Sequence, residues 1–273
     1  MKEFLSDPRV VALPRWLWLP VLNLFVLNTR PAKSAEKYAQ IWTPEGSPLA
    51  VHTARQAKLL AQKTGLQVEY AMRYGEPSIA SVLKKMQSPF IVVPLYPQYA
   101  ESATGSVLAQ IGDHPSIRHF HAHPGYLGAL AANVRRYWDA HGRGAMLVTS
   151  FHGLPKRGAG VYEAQCRNTA RLLADELGLK EREWLITFQS RFGAARWLEP
   201  YTQPTLEKLA REGVGAVDVV CTGFVSDCLE TLEEIGITAR DAFLAAGGKE
   251  LRLIPCLNES PEWIDALVQI ARI

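Results

Sequence analysis

The chain has 273 residues, 48% of them hydrophobic, and its 30 Lys and Arg stand against 27 Asp and Glu for a net charge of +3. That apolar fraction supplies a core and excludes disorder as the default, and the length suits one large domain or two ordinary ones. A small charge without any Lys/Arg block argues against nucleic acid, and Cys166, Cys221, Cys228 and Cys256, with no CxxC pairing, fit a reducing, cytoplasmic setting.

The chain opens on the polar stretch Met1–Pro8, which is no signal peptide. Residues 13–27, LPRWLWLPVLNLFVL, are the most apolar run. They are interrupted by Arg15, Pro20 and Asn23, and they fall short of the ~20 residues a bilayer span needs. Two tryptophans beside prolines and an arginine suit an interfacial segment, and an ordinary buried helix fits equally well. A basic turn at Arg30–Lys33 and a loop at 41–49 follow, then a helix from Ala50 to Lys63 that Gly65 stops.

From there strands and helices alternate. Strands are expected at 66–72, 90–95, 117–121, 145–150, 184–189, 216–224 and 251–257. Helices are expected at 78–86, 104–112, 125–141, 162–177, 205–212, 227–235 and 261–270. This alternation predicts a doubly wound α/β fold with parallel strands and helices on both faces. One sheet taking all these strands, and two similar halves meeting near Gly142–Gly144, fit equally.

Ligands of open parallel sheets bind beyond the carboxyl ends of the strands. Those ends read YPQYAES, SFHGLPKR, FQSRFGAARWLEPYT, GFVSDCLETLEE and PCLNES. No GxGxxG or GxxxxGK[ST] occurs, so a nucleotide site has no support; the aromatic and polar mixture suits a flat, largely apolar ligand. His152 in SFHGLP is either a hydrogen-bonded turn histidine or, as a neutral imidazole, a metal ligand and proton acceptor. Asp227, Glu230 and Glu234 are spaced i, i+3, i+7 and share one face of a regular helix. They form either a solvated acidic face or a cation and proton relay. His119, His121 and His123 alternate on one strand face and read as surface. Arg73, Tyr74 and Arg191 stand at strand ends where a guanidinium could meet an anionic group.

Taken in order, EFLSDPRVV (3–11), IWTPEGSPL (41–49), MRYGEPSI (72–79), PLYPQYAESATGS (94–106), SFHGLP (150–155), TFQSRFG (187–193), WLEPYT (197–202), GFVSDCLETLEEI (223–235) and CLNESPEWIDAL (256–267) resemble ferrochelatase, of the Gram-negative bacterial type. The likeness covers essentially the whole chain. It implies two Rossmann-like halves, each with a parallel four-stranded sheet: 1–143 with a hydrophobic lip at 13–27, completed by a C-terminal helix at 258–273, and 144–257 carrying the reactive residues. It also implies insertion of Fe2+ into protoporphyrin IX in the cleft between them. His152 then corresponds to the metal-binding, proton-accepting histidine and Glu230 to its partner. Glu234 and Asp227 form the acidic line leading to that pair, on a helix that family members often widen to a π-type turn. Arg73, Tyr74, Tyr96, Gln98, Tyr99 and Trp197 are the candidate porphyrin contacts. The resemblance further implies a monomer, peripheral membrane contact through the lip, and no tightly bound cofactor.

The sequence departs from the family pattern at three places. Family members carry a strand and a turn like NLGTP ahead of EFLSDPRVV, and loss of that interior strand would expose neighbouring sheet edges. Ala100-Glu101 stand where metazoan members place an iron–sulfur cysteine, so no cluster is expected. Cys228 stands where some members have a second histidine. Coproporphyrin III as substrate, and a non-catalytic porphyrin- or haem-binding remnant, are the alternatives.

Overall fold

The computed structural model describes residues 1–273 apart from Ala12 and Ala194. Helices α1 (Lys2–Ser6), α2 (Arg15–Val21), α3 (Leu27–Ile41), α4 (Pro48–Thr64), α5 (Ile79–Leu83), α6 (Ser106–Ile111) and α7 (Pro124–His141) build the first half. The second half alternates: β1 (Met146–His152), α8 (Gly160–Glu176), β2 (Trp184–Gln189), α9 (Thr202–Arg211), β3 (Ala216–Val220), α10 (Leu229–Leu232), α11 (Arg240–Ala245), β4 (Glu250–Ile254) and α12 (Pro261–Ala271). π-turns occupy Leu22–Val26, Glu101–Gly105 and Glu234–Ala239.

The second half carries a four-stranded parallel sheet in the order β2-β1-β3-β4. The doubly wound α/β expectation is met, and the topology adds a location. The chain winds from β1 to β2 on one side, then returns to β3 on the other, so the switch point lies at the carboxyl end of β1. Because helices cover both faces, β1 is buried along its interior rather than alternating. One face packs Val148, Val217 and Val219 against Leu206 and Phe243, and on the other Leu147 and Val220 join Leu173 and Leu130. Asp218, fully buried in β3, accepts from Gly144 N and Trp138 Nε1 at 2.7 Å each and from Arg252 Nε at 2.7 Å.

The first half differs from expectation. The segments expected as strands at 66–72, 90–95 and 117–121 form only isolated bridges, Met72 with Ser78 and Val92 with Ser116. Among the described residues no backbone–backbone hydrogen bond reaches residues 67–71 or 93–96. Residues 66–72 and 90–95 line a cavity of about 1530 Å³, and a ladder needs a neighbour at about 4.8 Å. Apolar composition alone does not supply one.

The basic turn expected at Arg30–Lys33 is instead the middle of α3. Pro20 and Pro31 each remove a backbone donor, and the π-turn between them carries the irregularity. α12 packs on α7 through Trp263, Ile264 and Leu267, so the C-terminal segment seats against the first half.

Candidate active site

His152 is the last residue of β1 and sits opposite Gln189 at the end of β2. Its Nδ1 lies 2.7 Å from the carbonyl oxygen of Gly153. A carbonyl only accepts, so Nδ1 is the donor, and in the neutral ring it is Nε2 that holds the lone pair. The following glycine has a steric reason: a Cβ on Gly153 would lie 2.6 Å from the Gln189 carbonyl oxygen and 3.3 Å from the Trp197 ring. Tyr162 Oη donates to the His152 carbonyl at 2.8 Å, fixing the strand end from the helix side.

The acid side is tied to the same strand ends. Ser150 Oγ donates to Gln189 Oε1, and Gln189 Nε2 donates to the Glu230 carbonyl, each at 2.6 Å. The backbone of Glu230 is thus referenced to β1 and β2 rather than to its own helix alone. Glu230 lines the cavity, and among the described residues no ion pair neutralises it. Beside it the buried Cys228 thiol is pushed well up, by burial first and then by the Glu230 charge, so it stays neutral.

The regular acidic helix face expected from spacing is not realised. Asp227 precedes α10, and its carboxylate accepts from Thr231 Oγ1 at 3.0 Å, Cys256 N at 3.2 Å and Asn258 Nδ2 at 2.7 Å. Glu234 opens a π-turn and accepts from Ser190 N and Oγ at 2.6 Å each. Ser190 holds φ +63°, a left-handed conformation that is uncommon for a residue with a side chain. Of the three carboxylates, only that of Glu230 has no hydrogen bond from a backbone amide or a hydroxyl. The physical reason is the widened turn, which breaks the 3.6-residue period on which the spacing argument rests.

The cavity is mostly apolar, and His152, Glu230, Arg73, Tyr74, Tyr96, Gln98, Tyr99 and Trp197 all line it. Several of these carry other duties. Arg73 pairs with Asp7, donates to Ser106 Oγ at 2.8 Å, and covers the Tyr74 ring, so its charge enters the cavity already balanced. Tyr74 Oη donates to Asp7 at 3.2 Å, and its phenol is pushed up to about 12, chiefly by burial. Tyr96 is open to the cavity rather than to bulk water, and desolvation raises it first. Gln98 is buried and donates to Thr169 Oγ1 and the Thr222 carbonyl, bridging the two halves. Tyr99 Oη donates to Glu101 at 2.6 Å. Trp197 stacks near Phe192, with centroids 4.8 Å apart. Arg191 lies over Tyr201 and does not line the cavity.

Residues the sequence did not single out also line it. Arg9, Arg30 and Arg157 stand on its wall, and no acidic partner is within ion-pair distance among the described residues. Tyr38, from α3, also lines it, and its phenol is raised by burial first and then by the Glu230 charge. No local pattern marks these residues, because each reaches the wall from a remote segment. His119 and His121 fall on a separate small cavity with centroids 5.1 Å apart; His121 is lowered by burial and then by His119. Among the described residues no three His, Cys, Asp or Glu side chains group to hold an ion.

The lip presents Trp16, Leu24 and Phe25 to solvent at 76%, 65% and 65% exposure, while Leu22 is buried beneath them. Among the described residues no helix is long and apolar enough to cross a membrane.

Known proteins were compared with this geometry. A family model described as Ferrochelatase matches residues 1–273. The chain is 55% identical over 294 residues to a ferrochelatase of Azoarcus sp. (strain BH72), covering 100% of this chain and 81% of that one. It is 56% identical over 295 residues to a ferrochelatase of Aromatoleum aromaticum (strain DSM 19018 / LMG 30748 / EbN1), with the same coverage of 100% and 81%. Among solved structures, SirB from Bacillus subtilis with Fe3+ aligns with a TM-score of 0.55 at 16% identity, over 80% of this chain and 88% of that one. The sirohydrochlorin chelatase SirB from Bacillus subtilis subspecies spizizenii in complex with cobalt gives 0.55 at 14%, over 81% and 88%. At such identity these two likenesses speak to fold alone. With one family matching from end to end and relatives more than half identical, the chain belongs to the ferrochelatase family of metal-chelating lyases.

Proposed function

We propose that this chain inserts Fe2+ into protoporphyrin IX, with His152 and Glu230 as the reactive pair. The observation that carries the reading is that both residues line one large, mainly apolar cavity at the switch point of the sheet. A planar, apolar macrocycle fringed with propionates suits such a wall, and Arg9, Arg30 and Arg157 supply cations without acid partners.

Metallation removes two pyrrole protons and strips water from the ion. Nε2 of His152, the acceptor nitrogen of the neutral tautomer that the Gly153 carbonyl selects, accepts a proton or meets the ion. Glu230, unpaired, offers the opposing negative charge. Glu234 and Asp227 continue the acidic line behind it, and their hydrogen bonds to Ser190, Thr231 and Asn258 open if an ion passes that way. Bending of the macrocycle would expose its nitrogen lone pairs; a bound porphyrin found planar counts against that step. The exposed Trp16, Leu24 and Phe25 support a lip that rests on a membrane surface and admits an apolar porphyrin. The chain then works as a cytoplasmic, peripheral monomer, its halves 1–143 and 144–257 closing on the porphyrin.

The test is anaerobic loss of protoporphyrin fluorescence on adding Fe2+. Replacing His152 by Ala lowers turnover by about 10²-fold or more while porphyrin still binds. Unchanged turnover removes His152 from the mechanism. Faster metallation of coproporphyrin III than of protoporphyrin IX overturns the substrate.

A further inference from the structure

We infer that Lys37 and Glu233 form a strap that holds α3, the helix that follows the lip, over the acid turn and thereby keeps Tyr38 on the cavity wall that Glu230 shares. The inference rests on the porphyrin reading above.

Glu233 is the junction between α10 and the π-turn at Glu234–Ala239. Its side chain is 6% exposed, yet it is ionisable and must be compensated. Lys37 Nζ lies 2.8 Å from both carboxylate oxygens, and Thr238 Oγ1 donates to one of them at 2.8 Å. The Glu233 carbonyl accepts from Ile237 N at 3.1 Å and from Thr238 N at 2.8 Å, the doubled bond that widens the turn. The side chain and the backbone of one residue therefore fix the π-turn, and one cation from α3 completes it.

That cation comes from 196 residues away. Lys37 lies in the last part of α3, the next residue is Tyr38 on the cavity wall, and α3 ends on the buried Ile41. The opposite end of the lip is solvent-exposed, with the Trp18 Nε1 bond to the Leu5 carbonyl joining it to another lip-side segment rather than to the acid helix. Among the described residues, Lys37–Glu233 is the one ion pair joining α3 to the second half. Without Lys37 the Glu233 carboxylate is left poorly solvated, and relief comes from swinging the helix or the turn outward. Either movement displaces Tyr38 from the cavity wall it shares with Glu230. Lys37 and Glu233 are positioning residues: neither is required to touch the reacting atoms.

The test uses the full chain with Lys37→Met, Lys37→Arg, Glu233→Gln and the Lys37→Met/Glu233→Gln double variant. Three quantities are read: protoporphyrin Kd by fluorescence, the porphyrin KM against kcat, and the rate of thermolysin cutting at Leu24–Phe25. Lys37→Met raises Kd and KM about five- to tenfold, with a smaller change in kcat, and speeds cutting of the lip. Lys37→Arg restores both. The double variant is less impaired than Lys37→Met, because the stranded charge has gone. If Lys37→Met lowers only the thermal midpoint, leaving Kd, KM and the cutting rate as in the parent, the pair is merely structural and the inference falls. If the parent chain binds no protoporphyrin, the porphyrin reading fails instead. The cutting rate then decides the strap: unchanged cutting in Lys37→Met overturns it.

Discussion

The two halves of this molecule have similar apolar runs and different backbones. In the second half, Leu147-Val148 of β1 pairs on one side with β2 and on the other with β3. In the first half, Val92-Val93 is as apolar, but it makes one bridge to Ser116 and otherwise borders the cavity. The difference shows that a hydrophobic run specifies an extended, buried segment, whereas a ladder requires a second segment delivered at the right spacing. The two halves meet in the wall of one cavity, the candidate site, all the same. The ordered sheet supplies the rigid residues, His152 and the Gln189 relay to Glu230; the unladdered half supplies the apolar and aromatic wall.

Amide hydrogen exchange gives this contrast its widest range. Backbone amides at 67–71 should exchange close to the unprotected rate, and those of Val148 and Val219 at least about 10³-fold more slowly. Equal protection in both segments would break the comparison, because it would mean that the first half also holds a ladder in solution.

Next in size is the anchor below the sheet. Asp218→Ala leaves Arg252, Trp138 Nε1 and Gly144 N without their acceptor. It should cost about 3–5 kcal/mol by chemical denaturation, because a buried pair loses one partner. Both halves should respond together, since Trp138 belongs to α7 of the first half and Asp218 to β3 of the second. Separate transitions would show that the halves unfold independently.

The smallest effect is a pH dependence. Burial, then the neighbouring His119, hold the His121 imidazole below its ordinary 6.5. The unfolded chain therefore binds this proton more readily. Its contribution to stability is complete above the unfolded value and is lost as pH falls below it toward the folded one. The thermal midpoint should drop modestly between about pH 7 and about pH 5, and His121→Phe should flatten that drop. An identical pH profile in the variant would show that His121 is not the group responsible.

Much of the candidate site was legible along the chain for identifiable reasons. His152 was found because a β run stops at a turn containing glycine and proline, and the structure gives Gly153 a steric cause in the Gln189 carbonyl. The acidic cluster was also visible, but its geometry was not. Spacing gave Asp227, Glu230 and Glu234 a common helical face, and a π-turn with an irregular start separated them. Arg73 was visible as a cation at a strand end, while the Asp7 carboxylate that balances it stands 66 residues away. Arg9 and Tyr38 carried no signal, while Arg30 was visible only as part of a basic turn and Arg157 only within the strand-end turn SFHGLPKR.

By itself, then, the sequence determined the α/β alternation of the second half, the order of its elements and the histidine at the end of β1. Those features depend on apolar periodicity, caps and turn residues, which act over a few neighbouring positions. Only the tertiary structure decided which carboxylate remains unpaired, which cations are spent, and which apolar runs gain a ladder. Each of those depends on what a remote segment brings within hydrogen-bonding distance, and no local pattern encodes the arrival of Asp7 at Arg73 or of Lys37 at Glu233.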